Sequence, residues 1–250
     1  MCGLIGWIKK PKEVELDIEA GLIKCASRGI DATGIAYHDG TKIVVDKNGV
    51  DAGLFTENLI YNKETPFLLG HTRATTRGTE KKNVNNHPHY NNRYVIIHNG
   101  TIHSTANIKT YPYKSECDSE NFVAYLSEYG WEGLKKIQGA GAVVGYDIFE
   151  KQIFLFRESN PLVLGLWNGC IIFGSTKEIA SQMLPKKYCV FTEQVESWWE
   201  VPEGEVFIFK NNKFESVYDF EFKTFYTGKT YTKFDNARNG VWYANATSIY

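Results

Sequence analysis

The chain has no surplus of charge. Its 28 Lys+Arg stand against 29 Asp+Glu over 250 residues, so no electropositive excess is available to grip a polyanion, and nucleic acid is disfavoured as the main partner. Cysteine is sparse and unpatterned. Cys2, Cys25, Cys117, Cys170 and Cys189 are odd in number and scattered, without the CxxC pairs of a zinc site or the density of a disulfide scaffold, so a reducing compartment is expected. No long apolar run is present either: residues 162–174 are broken by Asn168 and Gly169, short of the roughly 18 residues a membrane span needs. At the N-terminus the apolar stretch 3–8 precedes Lys9 and Lys10, the reverse of the order in a secretory signal. A cytoplasmic protein with no membrane partner is the expectation. With 43% hydrophobic and 23% charged residues the composition is that of a folding chain, and the length suits one sheet-rich domain.

What is there reads mostly as strand. Residues 3–8, 35–37, 42–45, 67–69, 94–98, 142–146, 153–156, 162–166, 170–173 and 205–209 are short apolar runs. His38-Asp39-Gly40-Thr41 between two of them is a hairpin signal. Helical spacing occurs from Pro11 through Val14, Ile18, Ile23 and Ala26, ending at Arg28-Gly29, and again over 119–129 and 177–183. Hairpins with helices segregated outside them imply an α+β layered fold. From 219 to 250 aromatic residues are interleaved with Thr, Asn, Lys and Gly; this tail is expected to wrap the domain of residues 2–218 or to dock on a partner.

Several polar clusters could carry chemistry. Removal of Met1 would put a thiol and a free α-amine on Cys2, a nucleophile with its own base: the amine titrates at about 7.7–8.0 and the thiol at about 8.5, so proton transfer between them is nearly balanced. Arg73, just beyond the run 67–69, offers a fork for a carboxylate. Asn99 and Gly100 supply a side-chain and a backbone N–H, the donors an oxyanion hole needs, although Asn-Gly is equally a turn dipeptide. Asp118 could meet an ammonium, or Asp118 or Ser119 could cap the following helix. His87-Pro88-His89 invites a zinc site with Cys2, a weaker reading because no further ligand pair has a recognisable spacing.

Taken in order, Cys2-Gly3-Leu4-Ile5-Gly6, Arg28-Gly29-Ile30-Asp31-Ala32-Thr33-Gly34, the segments 70–78, 86–89, 98–100 and 116–120, and later Pro161-Leu162-Val163-Leu164-Gly165, Ser175-Thr176-Lys177-Glu178 and Pro202-Glu203-Gly204-Glu205-Val206 resemble the glutaminase domain of class II glutamine amidotransferases. This N-terminal-nucleophile group includes the amidotransferase halves of glucosamine-6-phosphate synthase and amidophosphoribosyltransferase. The resemblance implies a four-layer αββα sandwich of two antiparallel sheets, the N-terminal nucleophile hydrolase fold. It implies Cys2 as nucleophile, Asn99 and Gly100 as oxyanion hole, and Arg73 and Asp118 on the α-carboxylate and α-ammonium of L-glutamine. Thr76 and His87 would line the same pocket, and no metal or organic cofactor is required. Ala74, Thr75 and Arg77 stand where synthases of the family commonly have Trp, Ala and His, and Cys117 stands where Thr is usual.

The implied reaction is hydrolysis of the glutamine side-chain amide through a glutamyl thioester. Since the resemblance consumes residues 2–210, a separate synthase is expected to accept the ammonia. A free-standing γ-glutamyl amide hydrolase and a catalytically silent glutamine-binding module are the alternatives.

Overall fold

Segments such as Leu4-Ile5, Leu68-Leu69 and Phe154-Leu155-Phe156 put apolar side chains on both faces of a strand, because successive residues point to opposite sides. Such strands must be covered twice. The computed structural model, which describes residues 1–8, 10–103, 106–185 and 195–210 and the backbone of 213–219, shows how. In chain order the elements are β1 (Gly3–Trp7), α1 (Ile18–Cys25), β2 (Ala32–His38), β3 (Ile43–Asn48), α2 (Ala52–Thr56), β4 (Leu68–Arg73), β5 (His89–Tyr90), β6 (Tyr94–His103), α3 (Glu120–Tyr129), β7 (Gln138–Asp147), β8 (Gln152–Glu158), β9 (Val163–Trp167), β10 (Cys170–Gly174), α4 (Lys177–Ser181), β11 (Ser197–Glu200), β12 (Glu205–Lys210) and β13 (Lys213–Asp219). They form a seven-stranded sheet, β11-β9-β10-β1-β4-β2-β3, and a six-stranded sheet, β13-β12-β8-β7-β6-β5, with antiparallel pairing between the strands of each.

Three apolar layers follow from the alternation. Leu4, Leu69, Val95, Ile97 and Leu155 meet between the two sheets. Their neighbours Ile5 and Leu68 turn outward to Leu22 and Ile18 of α1 and Ile179 of α4. On the far side Ile96, Phe154 and Phe156 turn to Phe122, Val123 and Leu126 of α3. Helix, sheet, sheet and helix therefore stack as four layers, the αββα arrangement expected. Among the described residues no helix is long and apolar enough to cross a membrane. Cys189 and the part of the tail from 220 to 250 lie outside the described residues.

The hairpin at 38–41 forms as expected. Asp39 Oδ1 accepts hydrogen bonds from the backbone N–H of Thr41 and Lys42 and from the Thr41 hydroxyl, and Gly40 takes φ +110°, open to glycine at no steric cost. Two expectations are corrected. The first helix starts at Ile18 and not near Pro11: Asp17 is its N-cap, accepting from Ala20 N at 2.9 Å, while Val14 is buried from the preceding non-helical segment and Ile23 faces solvent. The second concerns Asn99-Gly100, which neither turns nor ends a strand. Both residues sit inside β6, opposite Ala142 and Gly141 of β7; ten paired positions outweigh the turn preference of one dipeptide. Gly100 is required there, since a Cβ would lie 2.1 Å from Ala140 O and 2.6 Å from His98 Nε2.

Candidate active site

The pairing of β1 with β4 decides where the first residues go. Gly3 stands opposite Thr72, so Cys2 and Arg73, one step further on, emerge at the same end of the seven-stranded sheet. Both strands pack against β6 of the other sheet, which carries Asn99 and Gly100. A Cβ on Gly3 would lie 2.3 Å from Cys25 Sγ and 2.8 Å from Thr72 Oγ1, so glycine is what lets β1 settle here.

Cys2 is half-buried, and its sulfur touches the main chain of Ala74: Ala74 N donates to Sγ at 3.4 Å, and Sγ lies 3.6 Å from Ala74 O. Burial pushes the thiol up; the Ala74 contact, the N-terminal ammonium and Arg73 pull it back, and Cys117 adds to the rise. The resting sulfur therefore keeps its proton until a base removes it. Met1 is 75% exposed and lines a cleft of about 320 Å³ with Lys24, Arg28 and Glu178, so no core packing depends on it.

Arg73 is buried. Its Nη1 donates to Asn86 Oδ1 at 2.9 Å and its Nη2 to Gly78 O at 3.1 Å and to Arg77 O. Two donors thus already hold the loop 74–79 and a third holds Asn86; among the described residues Nε and the second Nη1 hydrogen remain for a ligand. Asn86 is itself fixed through Nδ2 to Glu80 O at 2.8 Å, and Lys47 of β3 donates to Asn86 O and Pro88 O. Thr76 lies exposed on that loop.

Asn99 is 1% exposed, and its Nδ2 has no hydrogen-bond partner among the described residues. An unmet buried donor costs about 1–3 kcal/mol, which makes it a place to look for a ligand. Asp118 is buried too, and its Oδ2 accepts from Ile102 N at 2.6 Å. Ser119 makes no side-chain cap to α3; its hydroxyl lies 2.9 Å from His98 Nδ1. Neither residue is spent on capping.

His71, His87, His89 and His98 form a buried group. His71 stacks on His87 with ring centroids 4.0 Å apart, His87 meets His89 edge-on at 4.5 Å, and His71 Nε2 lies 3.0 Å from His98 O. Burial holds all four imidazoles neutral, His71 down at about 3, His98 at about 4, and His87 and His89 well below the usual range. His87 and His89 approach Cys117 rather than Cys2, with potential ligand atoms within 4.8 Å of one another. A tetrahedral zinc site has ligand separations of about 3.3–3.8 Å, given its bond lengths. Arg73 and Lys47 also set positive charge beside His89, so the trio is poorly placed for a cation.

The segment 28–34 supplies the braces, a role the sequence reading left unassigned. Arg28 Nε donates to Cys2 O at 2.9 Å, Asp31 N donates to Arg73 O at 2.9 Å, and Asp31 Oδ2 accepts from Thr75 N at 2.6 Å. A Cβ on Gly29 would meet Ala74 N at 2.4 Å, and one on Gly34 would meet His87 O at 2.2 Å. These contacts are to main-chain atoms of residues distant in the chain, 26 positions away for Arg28 and 44 for Asp31 with Thr75, and only the motif's glycines hint at them.

A family model described as a glutamine amidotransferase domain matches residues 51–199. Among curated proteins, the glutamine–fructose-6-phosphate aminotransferase of Clostridium perfringens is 35% identical over 66% of this chain and 30% of its own length. That of Sulfolobus acidocaldarius is 29% identical over 66% of this chain and 32% of its own. The chain thus spans about a third of the curated relatives it matches. Among solved structures, the glutamine phosphoribosylpyrophosphate amidotransferase of B. subtilis superposes with a TM-score of 0.67 at 18% identity, covering 88% of this chain and 49% of that one. At that identity the likeness speaks for the fold.

Proposed function

Because this chain belongs to the class II glutamine amidotransferases, we propose that it is the glutamine-hydrolysing half of such an enzyme, with Cys2 as nucleophile once Met1 is removed. The freed α-amine takes the thiol proton while Sγ attacks the side-chain carboxamide. Asn99 Nδ2 and Gly100 N–H receive the oxyanion, the amine returns its proton to the leaving ammonia, and water hydrolyses the thioester to glutamate. Asp118 receives the α-ammonium and the uncommitted donors of Arg73 the α-carboxylate, with Thr76 and His87 bordering the pocket. The ammonia passes to an acceptor synthase.

The observation that carries this reading is the partnerless, buried Nδ2 of Asn99 on a strand packed against those bearing Cys2 and Arg73. A fixed donor awaiting charge is what acyl transfer demands. Its test is a glutamine-like electrophile, diazo-oxo-norleucine: one adduct is expected, on the peptide beginning at residue 2, and excess glutamine should suppress it. Labelling elsewhere, or labelling that glutamine leaves unchanged, would refute the reading. Asn99→Ala should lower kcat for glutamine by about 10²- to 10³-fold with KM nearly unchanged; steady-state glutamate release measures both.

A further inference from the structure

The oxyanion hole assigned above needs the Gly100 N–H to be aimed as well as present. An amide is planar, and across a trans peptide bond the carbonyl of one residue and the N–H of the next point in opposite directions. Whatever grips the Asn99 carbonyl therefore sets the direction of the Gly100 N–H. In this protein a side chain grips it: Asn160 Nδ2 donates to Asn99 O at 2.7 Å. Asn160 lies 61 positions away in the chain, just beyond β8.

The surroundings are built for that contact. Ser159, a non-glycine residue, holds φ +68°, a conformation that costs about 1–3 kcal/mol and persists only where the structure imposes it. The backbone N–H of Asn160 bonds to Glu158 O at 2.9 Å, closing the turn that presents the side chain. On the strand opposite, Gly141 has no side chain to intrude: a Cβ there would lie 3.0 Å from Asn99 O and 2.3 Å from His98 Nε2. On the other side of the same stretch, His71 Nε2 meets His98 O at 3.0 Å. Two consecutive carbonyls of β6 are thus held by side chains from outside the strand.

We propose that Asn160 is a positioning residue of the oxyanion hole, acting on the transition state through the Asn99–Gly100 peptide without touching glutamine. The proposal rests on the glutaminase reading. A donor displaced by about 1 Å can cost on the order of 10²-fold in rate, so Asn160→Ala and the near-isosteric Asn160→Asp, which removes the donor while keeping the shape, should each lower kcat by about 10- to 100-fold and leave KM within about twofold.

The deciding measurement compares two competitive ligands. Glutamate occupies the pocket without generating an oxyanion. The γ-aldehyde analogue of glutamine adds the Cys2 sulfur to its carbonyl carbon: the C–S bond forms as the C=O π pair moves onto oxygen, the thiol proton passes to the α-amine, and the resulting oxyanion enters the hole. In both variants inhibition by the aldehyde should weaken by about tenfold or more, while inhibition by glutamate stays within about twofold. Because this ratio is internal to each protein, it does not depend on the fraction correctly folded. Equal weakening of both ligands, or a wild-type kcat in Asn160→Asp, would overturn the proposal. Failure of the wild type to hydrolyse glutamine would instead overturn the reading beneath it.

Discussion

Replacing Cys2 with alanine is expected to abolish glutamate release, by at least about 10⁴-fold, while leaving the melting temperature and glutamine binding almost unchanged. The two halves of this expectation have separate causes. The sulfur's hydrogen bonds among the described residues are to the main chain of Ala74, and removing one small atom opens no large cavity. The chemistry, by contrast, has no substitute: removal of a nucleophile leaves only positioning and donors, and nucleophile deletions elsewhere cost several orders of magnitude. Cys2→Ser should fare little better, because an alcohol is a far weaker acid than a thiol, even one that burial pushes up, and the α-amine cannot readily deprotonate it. Retention of Met1 should silence the enzyme in the same way, since the basic nitrogen would then belong to the wrong residue; intact-mass measurement beside the assay distinguishes the cases. Release that survives Cys2→Ala would remove the nucleophile assignment. A wild type that binds glutamine without turning it over would indicate a silent module, and one that prefers γ-glutamyl amides with no acceptor present would indicate the free-standing hydrolase.

The second large effect is on stability in mild acid. His71, His87, His89 and His98 are neutral in the fold because burial penalises their charged forms. Their folded pKa values lie below the unfolded value near 6.5. As pH falls through about 6.5 the unfolded chain takes up protons that the folded chain refuses, so the stability these groups contribute is complete above that pH and is lost progressively toward about 4 and below. Each histidine contributes a slope of about 1.4 kcal/mol per pH unit, and four together up to about 5. Denaturant unfolding at pH 7.5 and pH 5 should therefore differ by several kcal/mol, enough to unfold a domain of ordinary stability. His87→Gln should remove one proton from the difference. A flat profile between those two pH values would show that the imidazoles are not held neutral.

Much of the architecture was legible because strands buried on both faces read as unbroken apolar runs; residues 153–156 and 170–173 lie within β8 and β10. Ends were less legible. Asp17 marks the true start of α1, but Val14 supplies an apolar residue at helical spacing from a segment that is not helical. Asn99-Gly100 reads as a turn locally, and only the partner strand, with Gly141 facing Gly100, reveals that it is not. For the proposed site, the candidate residues stood out by type and order, whereas the contacts that brace them did not. Arg28, Asp31 and Asn160 act on carbonyls and N–H groups of distant residues, and main-chain atoms leave no trace in the identity of the residue that owns them. The commitment of Arg73 to the carbonyls of Arg77 and Gly78 was equally invisible.

The groups assigned to attack and to charge stabilisation arise from different sheets, Cys2 and Arg73 from the seven-stranded one and Asn99 and Gly100 from the six-stranded one. Their mutual alignment is therefore held by the apolar seam between the sheets, where Leu4, Leu69 and Ile97 interlock. Close-packed interiors transmit small displacements instead of absorbing them. A methyl group missing from that seam would shear sulfur against oxyanion donors long before the domain melted, which makes turnover a finer gauge of interlayer fit than thermal denaturation.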